Sequence, residues 1–195
     1  YPNNPTAAIA TPEFFSDTVA FAKKNQICVA HDAAYGALVF DGKKPLSFLQ
    51  TPGAKDVGVE FFTLSKSHNM AGWRIGFAVG NPSVIESLNV MQDHTSVSLY
   101  GGIQKAAAKA LTSDQSSVKE LVSIYESRRD RFLFELKDTG LEIHKPQGSF
   151  YVWIKVPKGF TSETFFEVLL NEAHVIVATG NGFGSQGEGY VRIGL

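Results

Sequence analysis

The sequence is poor in cysteine: Cys28 is the one thiol in 195 residues, so no disulfide can form within the chain. Its apolar setting, "ICVA", predicts a small buried side chain rather than a nucleophile or a metal ligand. A chain without disulfides suits a reducing compartment, and a cytoplasmic location is expected. No apolar stretch approaches the roughly 20 residues of a membrane span, and no signal-peptide pattern is visible. Neither sign of charge dominates, with 18 basic against 19 acidic residues and a formal net charge of −1. The basic residues are scattered, which removes the electrostatic footprint of a nucleic-acid binder. Histidines are few and dispersed. His31, His68, His94, His144 and His174 offer no close pair for zinc, and each is read as structural or solvent-facing. These absences leave a globular chain and name no partner.

What is present is an alternation of strand and helix. "YPNNPT" is a loop by its prolines and asparagines, and "TPEFFSDTVAFAKKN" a helix capped by Thr11 with Pro12 in its first turn. "ICVAHD", "VEFFTLSK" and "IGFAVGN" read as buried strands, the second closed by Lys66. Buried strands separated by helices or long polar connections predict an α/β fold with a mostly parallel sheet, whose ligand site lies at the carboxyl ends of its strands. Asp32 and Lys66 both sit at such ends. Residues 81–94, 101–113 and 116–140 are helical, the last with a predicted Ser117/Glu120 capping box and Gly140 as its stop. "LEIHKP" and "SFYVWIKV" resemble an antiparallel pair, followed by a helix at 161–173 and short strands "VIVAT" and "YVRIGL", a smaller α+β unit. The expected organisation is therefore a part of a larger domain at 1–110 and a small α+β domain at 111–195, joined through the long helix. Trp73, Trp153 and the phenylalanines are read as core.

Gly182, Gly184 and Gly187 satisfy G-x-G-x-x-G, the dinucleotide fingerprint. That motif needs a following helix to aim at a pyrophosphate, and "GYVRIGL" alternates like a strand, so a turn-rich connection is expected instead.

Four ordered stretches, "NNPT" at 3–6, "HDAAYG" at 31–36, "SKSHNMAGWRIG" at 65–76 and "YVRIGL" at 190–195, together resemble the class I/II aminotransferases, pyridoxal-phosphate enzymes of fold type I. The wording of "SKSHNMAGWR" and "HDAAY" looks most like the aspartate aminotransferase-like branch that includes LL-diaminopimelate aminotransferases. The resemblance implies transamination between an amino acid and a 2-keto acid, with Lys66 forming a Schiff base to pyridoxal 5'-phosphate and afterwards moving a proton as a free base. An ordinary lysine has a pKa of about 10.4, so desolvation and nearby cations such as Arg74 would have to lower it.

The same resemblance gives the other roles. Asp32 would keep the pyridine nitrogen protonated, Tyr35 and Asn4 would hydrogen-bond the ring's phenolic oxygen, and Arg74 would pair with the phosphate. Thr63 and Ser65 are candidate hydroxyl donors to that phosphate. Arg192 would take the substrate α-carboxylate in a bidentate pair, near Asn4. Each has a plainer rival: Lys66 or Arg74 at the surface, Asp32 or Asn4 stabilising a turn, Tyr35 in the core, Arg192 paired with Glu188. Ala7 stands where the family usually has glycine, so a modest local change is expected in that turn. Family members extend beyond both ends of this sequence, so the chain reads as a fragment of a homodimeric parent, with little or no activity alone. Two other functions fit the motifs less well: another fold type I reaction, such as carbon–sulfur lysis or decarboxylation, and the effector domain of a transcription regulator.

Overall fold

The computed structural model of the chain describes residues 1–96 and 98–195. Helix α1 (Pro12–Asn25) starts as predicted: the Thr11 hydroxyl accepts from the Phe14 amide, Pro12 takes the first turn, and Gln26 in the left-handed conformation ends it. Its inward face is Phe15, Val19 and Ala22, while Phe14 is exposed and meets the Tyr1 ring edge-on.

Strands β1 (Val29–Asp32), β2 (Gly58–Thr63) and β3 (Gly76–Gly80) form the first sheet. β1 and β2 run parallel, with Asp32 beside Phe61; β3 is antiparallel to β2, with Gly76 beside Thr63. The pairing in these strands is thus mixed. The connection from β1 to β2 carries one short 3₁₀ turn, Phe48–Gln50, and the single-turn helix α2 (Ala54–Val57). Phe15, Val19, Phe48, Ala10 and Ala54 form the core beneath the sheet. Gly58 is required there, because a Cβ would run into the Phe48 ring and the Val29 carbonyl at 2.7 Å each.

Several expectations need correction. β1 is not a wholly buried strand: His31 faces the core, but Ala30 and Asp32 are exposed, and Cys28 just before it is exposed rather than buried. The core side of β1 is filled by a polar pair, His31 with Glu60, instead of by aliphatic residues. β2 ends at Thr63, so Lys66 lies one step beyond the strand in the single turn α3 (Leu64–Ser67). Trp73 and several phenylalanines, among them Phe14, Phe21, Phe77 and Phe134, are exposed rather than core, and β3, expected to be buried, is exposed at Gly76, Phe77 and Val79.

Helices α4 (Pro82–Thr95) and α5 (Gly101–Thr112) follow. α5 packs Ala107 against Leu64, Met70 and Ile75, the cluster that holds the turn bearing Lys66. The long helix α6 (Ser116–Leu136) begins without the predicted capping box. The Asp114 carboxylate, just ahead of the helix, accepts from the Ser116 amide and hydroxyl instead. The helix ends at Leu136, and Gly140, at φ +76°, turns the chain after it.

The second sheet is antiparallel throughout, in the order β4–β5–β7–β6: β4 (Ile143–His144), β5 (Tyr151–Lys155), β7 (Tyr190–Gly194) and β6 (Ala178–Thr179). Helix α7 (Ser162–Ala173), with a Thr161/Thr164 capping box, covers one face through Phe165, Phe166 and Leu169 against Val152, Ile154 and Val191. Strand alternation sends Tyr151, Trp153 and Arg192 to the opposite face.

Backbone bonds stitch the two sheets' loops together. Gln147 and Gly148 amides donate to the Ala7 carbonyl, the Phe40 amide to Gln147, and the Ser149 amide to Leu38. Ala7 itself adopts φ +59° and is 1% exposed, so the turn after "NPT" keeps a left-handed residue even without a glycine. The junction holds a buried cation as well. Arg129 of α6, 1% exposed, makes a bidentate pair with Asp41 at 2.9 and 3.1 Å, bonds Asp130 and the Pro146 carbonyl, and stacks over Phe40.

Candidate active site

The site assembles around Tyr35, three residues past β1. Asp32 ends β1, and one of its carboxylate oxygens accepts from the Ala34 amide, bending the chain toward Tyr35. Asp32, Ala30, Ala34, Phe61, Phe62 and Thr63 line an open depression of about 250 Å³ at the carboxyl ends of β1 and β2. This is where ligands settle in α/β sheets. The Lys66 ammonium stands over the rings of Tyr35 at 5.9 Å and Phe150 at 5.5 Å. No carboxylate among the described residues forms an ion pair with it.

The turn that carries Lys66 is built by a neighbour. Thr63 caps it, its hydroxyl accepting from the Ser65 amide and donating within reach of the Ile75 carbonyl and the Ser65 hydroxyl. Thr63 and Ser65 are thus bonded to each other. Arg74 is exposed, in a left-handed conformation at φ +52°, with its guanidinium donating to the Ala71 carbonyl.

Arg192 arrives from the other sheet. On β7 it lies opposite Trp153 and diagonal to Tyr151, near enough for a long side chain to reach. Its guanidinium is sandwiched between Tyr151 at 4.0 Å and Phe183 at 4.6 Å, and it donates to the Asn4 side-chain oxygen at 2.7 Å. Its Nε is buried with no acceptor. Asn4 and Arg192, 188 positions apart, are therefore one unit. The expected rival partner, Glu188, is occupied instead in capping α7 through the Ser162 amide.

Phe183 is delivered by the glycine-rich connection. That stretch is two 3₁₀ turns, Gly180–Phe183 and Ser185–Gly187, followed by β7, so no helix is present to make a dinucleotide site. Gly180 and Gly187 touch backbone to backbone, and a Cβ on either would collide with the other.

Tyr35 binds these parts electrostatically. Burial and the hydrogen bond to Tyr151 at 3.2 Å hold its hydroxyl well above the ordinary tyrosine range, with Asp32 adding to the rise and Arg192 opposing it. Both charges therefore act on the same hydroxyl. Of the residues singled out by sequence, the structure gathers Asp32, Tyr35, Lys66, Arg192 and Asn4; Thr63 and Ser65 adjoin them, and Arg74 points to its own loop. Tyr151, Phe150 and Phe183 were missed. Read as strand core or turn, they carry no sign in the sequence that their outward face meets the first sheet.

Pyridoxal phosphate can be tested against this geometry. An amine without a carboxylate partner, a carboxylate with a free oxygen over an open depression, hydroxyls beside them and an unpartnered arginine Nε are the groups that such a cofactor and its substrate need, and the residues fit. Among the described residues no cluster of histidine, cysteine or acidic side chains could hold a metal ion.

The chain belongs to the class I and II aminotransferases, whose family model matches residues 1–195. It is 60% identical over its full length to the L-glutamine–4-(methylsulfanyl)-2-oxobutanoate aminotransferase of Bacillus subtilis strain 168, and 46% to LL-diaminopimelate aminotransferase 2 of Trichormus variabilis. The whole chain also superposes on the apo structure of BacF from Bacillus subtilis with a TM-score of 0.95 at 47% identity, and on an aminotransferase from Staphylococcus aureus with 0.94 at 41%. The chain spans about half the length of these relatives: 49% and 50% of the two enzymes, 50% and 51% of the two structures.

Proposed function

We propose that this chain is the part of a pyridoxal-phosphate aminotransferase that carries the lysine, the ring-facing acid and the carboxylate-binding arginine, and that the full-length protein exchanges an amino group between an amino acid and a 2-keto acid. The observation that carries the reading is that Tyr35, three residues past Asp32, meets the Lys66 ammonium at 5.9 Å and is hydrogen-bonded to Tyr151, over whose ring the Arg192 guanidinium stands. Bound there, pyridoxal phosphate supplies an aldehyde for amine exchange and a ring that accepts the electron pair left on the substrate α-carbon.

The chain's own groups do the rest. Lys66 Nζ would hold the aldehyde carbon and, when released, carry the α-proton. The Asp32 carboxylate would hold a proton on the ring nitrogen, and the Tyr35 hydroxyl would fix the ring oxygen. Arg192, already tethered by Asn4 and stacked between two rings, would take the α-carboxylate, whose oxygen would satisfy the buried Nε. Thr63, Ser65 and Arg74 would serve the phosphate, Arg74 by swinging from the Ala71 carbonyl. The expected cytoplasmic location rests on the single thiol, and the homodimeric state on the family resemblance.

The test is a half-reaction on the full-length enzyme. An amino acid added without a keto-acid acceptor should release its 2-keto acid once per active site, with neither ammonia nor carbon dioxide. Release of ammonia would make the enzyme a lyase, and release of carbon dioxide a decarboxylase. The 60% identity to the glutamine-dependent relative makes L-glutamine and 4-(methylsulfanyl)-2-oxobutanoate the first pair to assay, with LL-diaminopimelate next.

A further inference from the structure

Tyr151 touches both halves of this site. Its hydroxyl lies 3.2 Å from that of Tyr35, 116 residues away, and its ring centre lies 4.0 Å from the Arg192 guanidinium. Both contacts come from the outward face of β5, whose opposite face is core. The preceding residue belongs to the same assembly: the Phe150 ring meets Tyr35 edge-on at 5.4 Å and receives the Lys66 ammonium.

We propose that Tyr151 is a positioning residue that couples the carboxylate-binding arginine to the cofactor-facing tyrosine, its ring carrying Arg192 and its hydroxyl holding Tyr35. The proposal rests on the functional reading above and goes beyond it. A guanidinium stacked over a ring is fixed in plane and tilt, so its free edge is presented to an incoming carboxylate before binding. A hydroxyl–hydroxyl pair in a half-buried setting fixes the rotor of each member. Tyr35 is the donor of this pair, so the Tyr151 oxygen competes with a ring oxygen for the single Tyr35 proton and sets where that hydroxyl points. The charged groups facing this pair are Arg192, Asp32 and Lys66.

Two variants of the full-length protein separate the two contacts. Tyr151→Phe keeps the ring and deletes the hydroxyl. It should lower the pH midpoint of the bound cofactor's absorbance band by about half a unit, because the Tyr35 proton, no longer shared with Tyr151, is given wholly to the oxygen that is anionic on the alkaline side. It should leave propionate binding to the cofactor-free protein, measured by calorimetry, within about twofold of wild type. Tyr151→Leu deletes both contacts and should weaken propionate about tenfold as well. An unmoved or raised midpoint in the phenylalanine variant overturns the hydroxyl role, and wild-type propionate affinity in the leucine variant overturns the ring role. If the leucine variant does not fold, Tyr151→Met, which also lacks both ring and hydroxyl, replaces it, with the same outcome required. A wild-type protein that shows no cofactor band rejects the functional reading itself, whereas a normal wild-type band with indifferent Tyr151 variants rejects this proposal alone.

Discussion

Replacing Arg129 with methionine should destabilise the protein by about 3 kcal/mol. The guanidinium is 1% exposed and is the largest fully buried side chain among the described residues. It gives two charge-assisted bonds to Asp41, one to Asp130 and one to the Pro146 carbonyl, and stacks over Phe40 at 4.9 Å. Charge-assisted bonds contribute about 1.5–3 kcal/mol each, and a carbonyl left unpaired in a buried place costs about 1–3. Asp41 and Asp130 are both more than a third exposed, so they regain water when the arginine goes, and the pairs stand at the low end of that range. Burial of an apolar methionine in place of a cation returns part of the loss. The assay is urea unfolding at pH 7, with Asp41→Asn and the double variant completing a cycle. The Arg129 bond holds the Asp41 carboxyl below the usual aspartate value, against a smaller rise from burial. A depressed acid stabilises the fold above its unfolded pKa, 3.8, and that contribution is lost as the pH falls through the folded value. The wild type should therefore lose stability below about pH 4 more steeply than Asp41→Asn. A methionine variant within about 0.5 kcal/mol of wild type, or a cycle with no coupling, would refute the assignment of Arg129 as the pin between the sheets' loops.

Three further outcomes are expected. Lys66→Ala should abolish the cofactor absorbance band and lower kcat at least about a thousandfold, read by spectrophotometry and a coupled keto-acid assay. Arg192→Lys should raise KM for the amino acid about 10- to 100-fold, because an ammonium cannot offer the fork of donors; an unchanged KM would remove Arg192 from carboxylate binding. Glu60→Gln should cost about 2 kcal/mol in urea unfolding. Burial pushes the Glu60 carboxyl up, but the donors His31, Ser47 and the Phe48 amide outweigh it and leave the pKa below 4.5, so its stabilising share is present above that pH and lost on acidification; the glutamine variant should show a flatter acid limb.

The buried polar pair beneath β1 also explains a misreading. His31 and Glu60 face each other across the parallel register, with the His31 Nδ1 and a Glu60 carboxylate oxygen 2.7 Å apart. Hydropathy predicts that apolar residues fill a strand's inner side. Here a hydrogen-bonded pair fills it, and Cys28 and Ala30 are left outside.

By itself the sequence determined the elements and the chemistry of single residues. Thr11 with Pro12 starts α1, alternation marks β5 and β7, and the four ordered motifs single out Lys66, Asp32, Tyr35, Asn4 and Arg192. These signals are local, since caps, strand alternation and reactive groups depend on a few neighbouring residues. Only the tertiary structure decided which of those groups meet. Asn4 reaches Arg192 across 188 positions and Tyr35 reaches Tyr151 across 116, because two sheets bring their ends together. The outward face of β5, the Phe183 lid over the arginine and the Arg129 pin between loops arise from that packing, and packing between distant segments leaves no period in the chain for a reader of sequence to find.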